Sequence, residues 1–118
     1  MSLQALFDSF NGKRVLVLGD VMIDAYLHGA VNRMSPEAPV PVVDFQKEEQ
    51  RIGGAGNVAL NLQALGATPL IASVIGQDGA SQHLRNLFEA AQIDTSALID
   101  SAERKTTIKT RVLSGRDR

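Results

Sequence analysis

Arg51-Ile52-Gly53-Gly54-Ala55-Gly56-Asn57-Val58-Ala59 places three glycines within four residues and runs straight into a helical pattern. Glycines let the backbone take positive φ and approach a ligand with no Cβ in the way. A helix N-terminus behind them offers unpaired N–H groups and a field that favours an oxyanion or hydroxyl. Asn57 adds a side chain that both donates and accepts. The same residues also describe a flexible turn with Asn57 as N-cap. The spacing is not the G-x-G-x-x-G of a dinucleotide fold, and no Walker lysine follows, which disfavours a nucleotide-phosphate loop.

Outward from this loop the pattern is α/β. Val58, Ala59, Leu62 and Leu65 predict a helix over 57–65, with Gly66 as its stop. Residues 70–75 read as a buried strand ended by Gly76, and Asp78-Gly79 opens a helix with Leu84, Leu87, Phe88 and Ala91 on one stripe. Upstream, Leu3, Leu6, Phe7 and Phe10 suit a short amphipathic helix. Residues 14–19 form an apolar run expected of a strand buried on both faces. Pro36, Pro39 and Pro41 exclude a helix and disfavour a central strand. Extended pieces near 25–31 and 40–45 would pair outside the main sheet. Residues 106–113 alternate, with Ile108, Thr110 and Val112 on one face and Thr107, Lys109 and Arg111 on the other. The expectation is a doubly wound α/β core carrying a β-layer.

Composition narrows the function. The 118 residues are 44% hydrophobic and 21% charged with no cysteine, which excludes a disulfide scaffold, a Cys-type zinc finger and a thiol nucleophile. No apolar run reaches membrane length and the N-terminus lacks a signal-peptide pattern, so a cytoplasmic protein with no membrane partner is expected. Residues 1–103 hold six Lys/Arg against twelve Asp/Glu, whereas the last fifteen hold six against one. A basic end raises a nucleic-acid tail. The segment lacks aromatics and reads as a strand, so no nucleic-acid partner is expected. His28 and His83 have no partner at metal-ligand spacing, and no metal site is expected.

The run from Gly53 to Ala59, then six residues to Gly66 and nine to Gly76, resembles the N-terminal signature of the ribokinase/phosphofructokinase-B sugar kinases. Gly19-Asp20-Val21-Met22-Ile23-Asp24 is similar to that family's opening motif, whose last Asp binds sugar hydroxyls. Arg33-Met34-Ser35-Pro36-Glu37-Ala38-Pro39-Val40-Pro41-Val42-Val43 and Thr107-Ile108-Lys109-Thr110-Arg111-Val112-Leu113 resemble the kinase domain of the ADP-heptose synthase family. The resemblance implies a Rossmann-like, ribokinase-type α/β fold with a protruding β-sheet lid near 25–45 and 106–113. It implies transfer of the ATP γ-phosphoryl group to C1–OH of D-glycero-D-manno-heptose 7-phosphate, a step in lipopolysaccharide core synthesis. It also implies ATP and Mg²⁺ as cofactors and a homodimer formed through the lid.

The substrate-binding set follows from the same resemblance. Asp24, Gly53, Gly54 and Asn57 would orient the sugar; Lys109, Arg111 and Arg33 would hold its phosphate. Asp24 is expected just past the first strand, where open α/β sheets bind ligands, and a helix cap or solvated charge is its other reading. Lys109 and Arg111, about 6.6 Å apart on one strand face, could clamp a phosphate or serve as a solvated, aggregation-blocking edge. Asp78 is read as a helix cap, and Glu48 and Glu49 as a solvated face. The family's Gly-Ala-Gly-Asp-like motif, which carries the catalytic base and the anion hole, is absent. The chain is therefore expected to be the N-terminal, sugar-binding part of a kinase, without the ATP-binding part and inactive alone. The alternatives are a kinase of ribose, a fructose phosphate or a nucleoside, and a non-catalytic sugar-binding or dimerisation module.

Overall fold

Two separate three-stranded sheets, not one, organise the chain. The computed structural model describes residues 1–115; Arg116, Asp117 and Arg118, the last part of the basic end, lie outside the described residues. After a short exposed helix α1 (Leu3–Asp8), strand β1 (Arg14–Leu18) enters the main sheet. The chain then leaves for a long hairpin, β2 (Val21–Met34) and β3 (Pro41–Gly54), and returns through α2 (Ala55–Ala64), β4 (Thr68–Gly76), α3 (Gly79–Ala90) and β5 (Asp94–Ser101). Strand β6 (Ile108–Ser114) goes back to the hairpin. The main sheet has order β1-β4-β5 with every pair parallel. The second has order β3-β2-β6, antiparallel then parallel, and is the expected β-lid.

Sequence explains most of these choices. The prolines fall where strands tolerate them: Pro36 and Pro39 lie in the connection, and Pro41 is the first residue of β3. The hairpin arms are nevertheless much longer than the two short pieces expected. Residues 46–52 continue β3, with Lys47, Glu49 and Arg51 on one face of the strand and Ile52 turned to the core on the other. Strand β5 escapes sequence reading altogether. Its only apolar triplet is Ala97-Leu98-Ile99, and it is an edge strand with little burial.

One cluster holds the molecule together. Phe88, Leu84 and Ala59 from the helices meet Ile71 and Ile75 of β4, with Val21, Ile23 and Ile52 from the root of the lid. Full burial of each large side chain contributes about 1.5–3 kcal/mol. Gly56 lets α2 lie close, since a Cβ there would meet the Phe88 ring at 2.9 Å and collide with Ile52. Both α2 and α3 pack on the Ile71–Ile75 face. Leu16 and Leu18 of β1 are therefore 60% and 81% exposed, in contrast to the strand buried on both faces that the apolar run predicts. Only one helix layer is present among the described residues.

Candidate functional site

The lid's register builds the site. Asp24, Tyr26 and His28 alternate onto one face of β2. On one side they oppose Arg51, Glu49 and Lys47 of β3; on the other, Lys109 and Arg111 of β6 oppose Asp24 and Tyr26. The opposite face of the lid carries Ile23, Ile52 and Ile108. Asp24 is thus not in a loop after the first strand. Only Gly19 and Asp20 separate β1 from β2, so the chain re-enters a strand at once and Asp24 is its fourth residue.

Around Asp24 three expected site residues converge. Its side chain is only 18% exposed, with the Lys109 ammonium 3.4 Å from Oδ1. That oxygen is buried and accepts no hydrogen bond. Gly53 faces it directly: a Cβ there would stand 2.6 Å from the carboxylate carbon. Gly54 follows with φ 61° and ψ −135°, and a Cβ there would strike the Asp20 carbonyl oxygen. That backbone path lets the Ala55 N–H donate to the same carbonyl at 2.8 Å. Gly54, not Asn57, is the N-cap of α2, and no side chain caps the helix. Asn57 is an exposed residue of its first turn.

Arg111 and the residues around Tyr26 extend the face. Arg111 Nη1 donates to Tyr26 Oη at 3.1 Å. Its guanidinium carbon lies 5.7 Å from the centre of the Tyr26 ring, and that of Arg51 lies 5.1 Å away. Glu49 meets Arg51 at 2.9 Å, Lys47 at 3.3 Å and His28 at 3.6 Å. The Arg51 hydrogen bond, with Lys47 second, holds the Glu49 carboxyl below its ordinary range. Glu49 is therefore the centre of an ion-pair group, unlike the plain solvated charge that its run of neighbours implies. Tyr26 and Arg51 become visible only once the hairpin register is known.

Arg33 does not join this group. It pairs with Val42 near the far end of the hairpin, nine residues from Asp24. Along an extended strand that is about 30 Å. Asp78 fulfils its expected role as the cap of α3 in a capping box with Ser81, accepting from the Ser81 N–H at 2.8 Å. Asp78 also accepts from the Thr106 N–H at 3.0 Å and from its hydroxyl at 2.7 Å. The Thr106 hydroxyl in turn accepts from the Gly76 N–H at 3.0 Å. This knot fixes the entry to β6, and with it Lys109 and Arg111.

A larger open cleft of about 700 Å³ lies on the opposite side of the lid, against α3, lined by Ile23, Ile108, Leu87 and His83 among others. It holds no orphaned polar atom, whereas the Asp24 face holds the two buried ones, Asp24 Oδ1 and His28 Nε2. Chemistry that needs hydrogen bonds is better served on the Asp24 face. Among the described residues no group of three or more His, Cys, Asp or Glu could hold a metal ion. Likewise, none of the described helices is long and apolar enough to cross a membrane.

Comparison with known proteins agrees with this architecture. The chain is 50% identical over 107 residues to the bifunctional protein HldE of Caulobacter sp. (strain K31), covering 91% of the chain and 22% of that relative. It is 52% identical over 106 residues to the bifunctional protein HldE of Pseudomonas aeruginosa (strain LESB58), covering 89% and 22%. The chain thus spans about a fifth of the length of these relatives. Arabidopsis thaliana ribokinase complexed with ribose and ATP shares the fold, with a TM-score of 0.67 at 14% identity over 92% of this chain and 34% of that one. The family model for pfkB carbohydrate kinases matches residues 13–118. With its parallel α/β core, its β-lid and the Gly53-Gly54 turn beside Asp24, the chain belongs to the pfkB family of carbohydrate kinases.

Proposed function

We propose that this chain is the acceptor-binding part of a kinase for a sugar phosphate, and that the sugar is D-glycero-D-manno-heptose 7-phosphate, phosphorylated at C1–OH. The observation that carries the reading is the buried Asp24 oxygen with no hydrogen-bond donor, set against the Cβ-free surface of Gly53. The Lys109 ammonium at 3.4 Å offsets the charge of this oxygen without a hydrogen bond to it, and a sugar hydroxyl would supply the missing bond. Gly54 and the uncapped start of α2 offer backbone N–H groups to neighbouring hydroxyls, and Asn57 adds a donor and an acceptor. Cations on β6 and β3 suit an acceptor that already carries a phosphate. The likeness to bifunctional HldE proteins supports the heptose assignment.

In this reading ATP with Mg²⁺ supplies the phosphoryl group. Phosphoryl transfer requires positioning, charge neutralisation and a base beside the attacking hydroxyl. In this division of roles the described residues position the sugar; among them no cluster could hold a metal ion. The donor site and base belong to the length of the relatives that this chain does not match. Exposed Ile108 and Val112, on the lid face away from Asp24, support pairing of lids between two copies.

Calorimetric titration of the 118-residue chain tests the reading. Heptose 7-phosphate is expected to bind more tightly than free heptose, with no ADP formed when ATP and Mg²⁺ are added. Equal binding of the two sugars, or none, would refute the substrate assignment; ADP formation would refute the division of roles.

A further inference from the structure

Resting on the sugar-phosphate reading above, we infer that the acceptor's phosphate is held by Arg111, Arg51 and the Tyr26 hydroxyl, and that Lys109 serves the sugar end instead. By contact, though not by register, the charges of the lid face form two groups, because the Arg51 side chain leaves its register partner Asp24 for Glu49 and the Tyr26 ring. In the first, Lys109 is already committed to Asp24 at 3.4 Å, so its charge is largely offset. In the second, Lys47 and Arg51 share the single carboxylate of Glu49, while Arg111 is in no ion pair among the described residues. Three cations against one carboxylate leave a surplus of two positive charges, which matches a phosphate dianion.

Hydrogen-bond chemistry points the same way. Because Arg111 Nη1 donates to Tyr26 Oη, the phenolic hydrogen is free to donate to an incoming oxygen. The two guanidinium groups lie within 5.1 and 5.7 Å of the same ring, each with further N–H donors in a planar fork that suits phosphate. A cleft of about 190 Å³ opens on the Arg51 side of the ring, lined by Tyr26, His28, Lys47, Glu49, Arg51 and Leu113. Tyr26 is two residues beyond Asp24, a step of about 6.6 Å along the strand. That separation suits a sugar whose ring hydroxyls meet Asp24 while its exocyclic carbons carry a terminal phosphate away. Arg33, at the other end of the hairpin, takes no part.

The test is a binding panel on the full chain with heptose 7-phosphate, fructose 6-phosphate and both unphosphorylated sugars. Arg111→Gln and Arg51→Gln are each expected to weaken the phosphorylated sugars about tenfold to a hundredfold, the loss of a charged hydrogen bond. Binding of the free sugars, which also reports correct folding, is expected to be unchanged. Lys109→Gln is expected to weaken phosphorylated and free sugars by the same factor. The inference is overturned if Arg111→Gln and Arg51→Gln weaken both classes alike, or if the phosphate preference survives in them and disappears in Lys109→Gln or Arg33→Gln. If heptose 7-phosphate does not bind but fructose 6-phosphate does, with the same dependence on Arg111 and Arg51, the heptose assignment falls and the anion site stands. If the unaltered chain prefers neither phosphorylated sugar, both fall.

Discussion

Asp24 and Gly53 make sense only as a pair. A side chain at Gly53 would occupy the space in front of the Asp24 carboxylate, so Gly53→Ala is expected to weaken sugar binding at least tenfold while leaving the fold intact. Asp24→Asn keeps the shape but removes the charge, and calorimetry should show a loss of about tenfold to a hundredfold for every sugar. Gly54→Ala differs in kind. Its positive φ and the nearby Asp20 carbonyl make any Cβ a backbone strain, expected to lower unfolding stability by about 1–3 kcal/mol in urea titration. Asp24, Gly53, Gly54 and Asn57 were open to nomination from the sequence as candidate sugar-binding residues, because they sit in short motifs. Tyr26 and Arg51 were not, because which residues face each other across a hairpin of two 14-residue arms with two register shifts depends on its turn and bulges.

At the scale of elements, Thr106 is the joint between body and lid. Its hydroxyl links the Gly76 N–H to Asp78, and its own N–H donates to the same carboxylate. Thr106→Val keeps the shape and leaves the Gly76 N–H unpaired, at an expected cost of about 1–3 kcal/mol in chemical denaturation. The hydrogen bonds from Thr106, then Ser81, hold the Asp78 carboxyl below its usual 3.8. A depressed carboxyl stabilises the fold above 3.8, and that contribution is lost as pH falls through the lower folded value. Asp78→Asn is therefore expected to flatten the acid limb of a stability-against-pH curve, with the two proteins converging below that value. An unaltered acid limb would contradict this role. Strand β6 was readable from its alternation, although the strand begins at Ile108 and Thr106 precedes it as an anchor. Strand β5 was not, since an edge position needs few apolar residues.

Across the whole molecule, which measures 62 × 41 × 20 Å, one core serves both the parallel sheet and the root of the lid. Phe88 is fully buried there beside Gly56. Phe88→Ala is expected to cost about 3–5 kcal/mol and to loosen α2, α3 and the lid root in one transition. The succession of strands and helices revealed the α/β class, but not which face of the sheet would stay open, the one on which Leu16 and Leu18 of β1 lie uncovered. An apolar run is compatible with burial on two faces, and what lies on each face depends on residues far away in sequence. The lid projects from this body, and its Asp24 face is where acceptor recognition is proposed. An amide-resolved NMR titration with heptose 7-phosphate tests that claim most directly. Saturable shifts centred on Asp24, Gly53, Gly54, Asn57 and Arg111 are expected, with smaller ones for free heptose; shifts centred on His83 and Leu87 in the opposite cleft, or none that saturate, would contradict it.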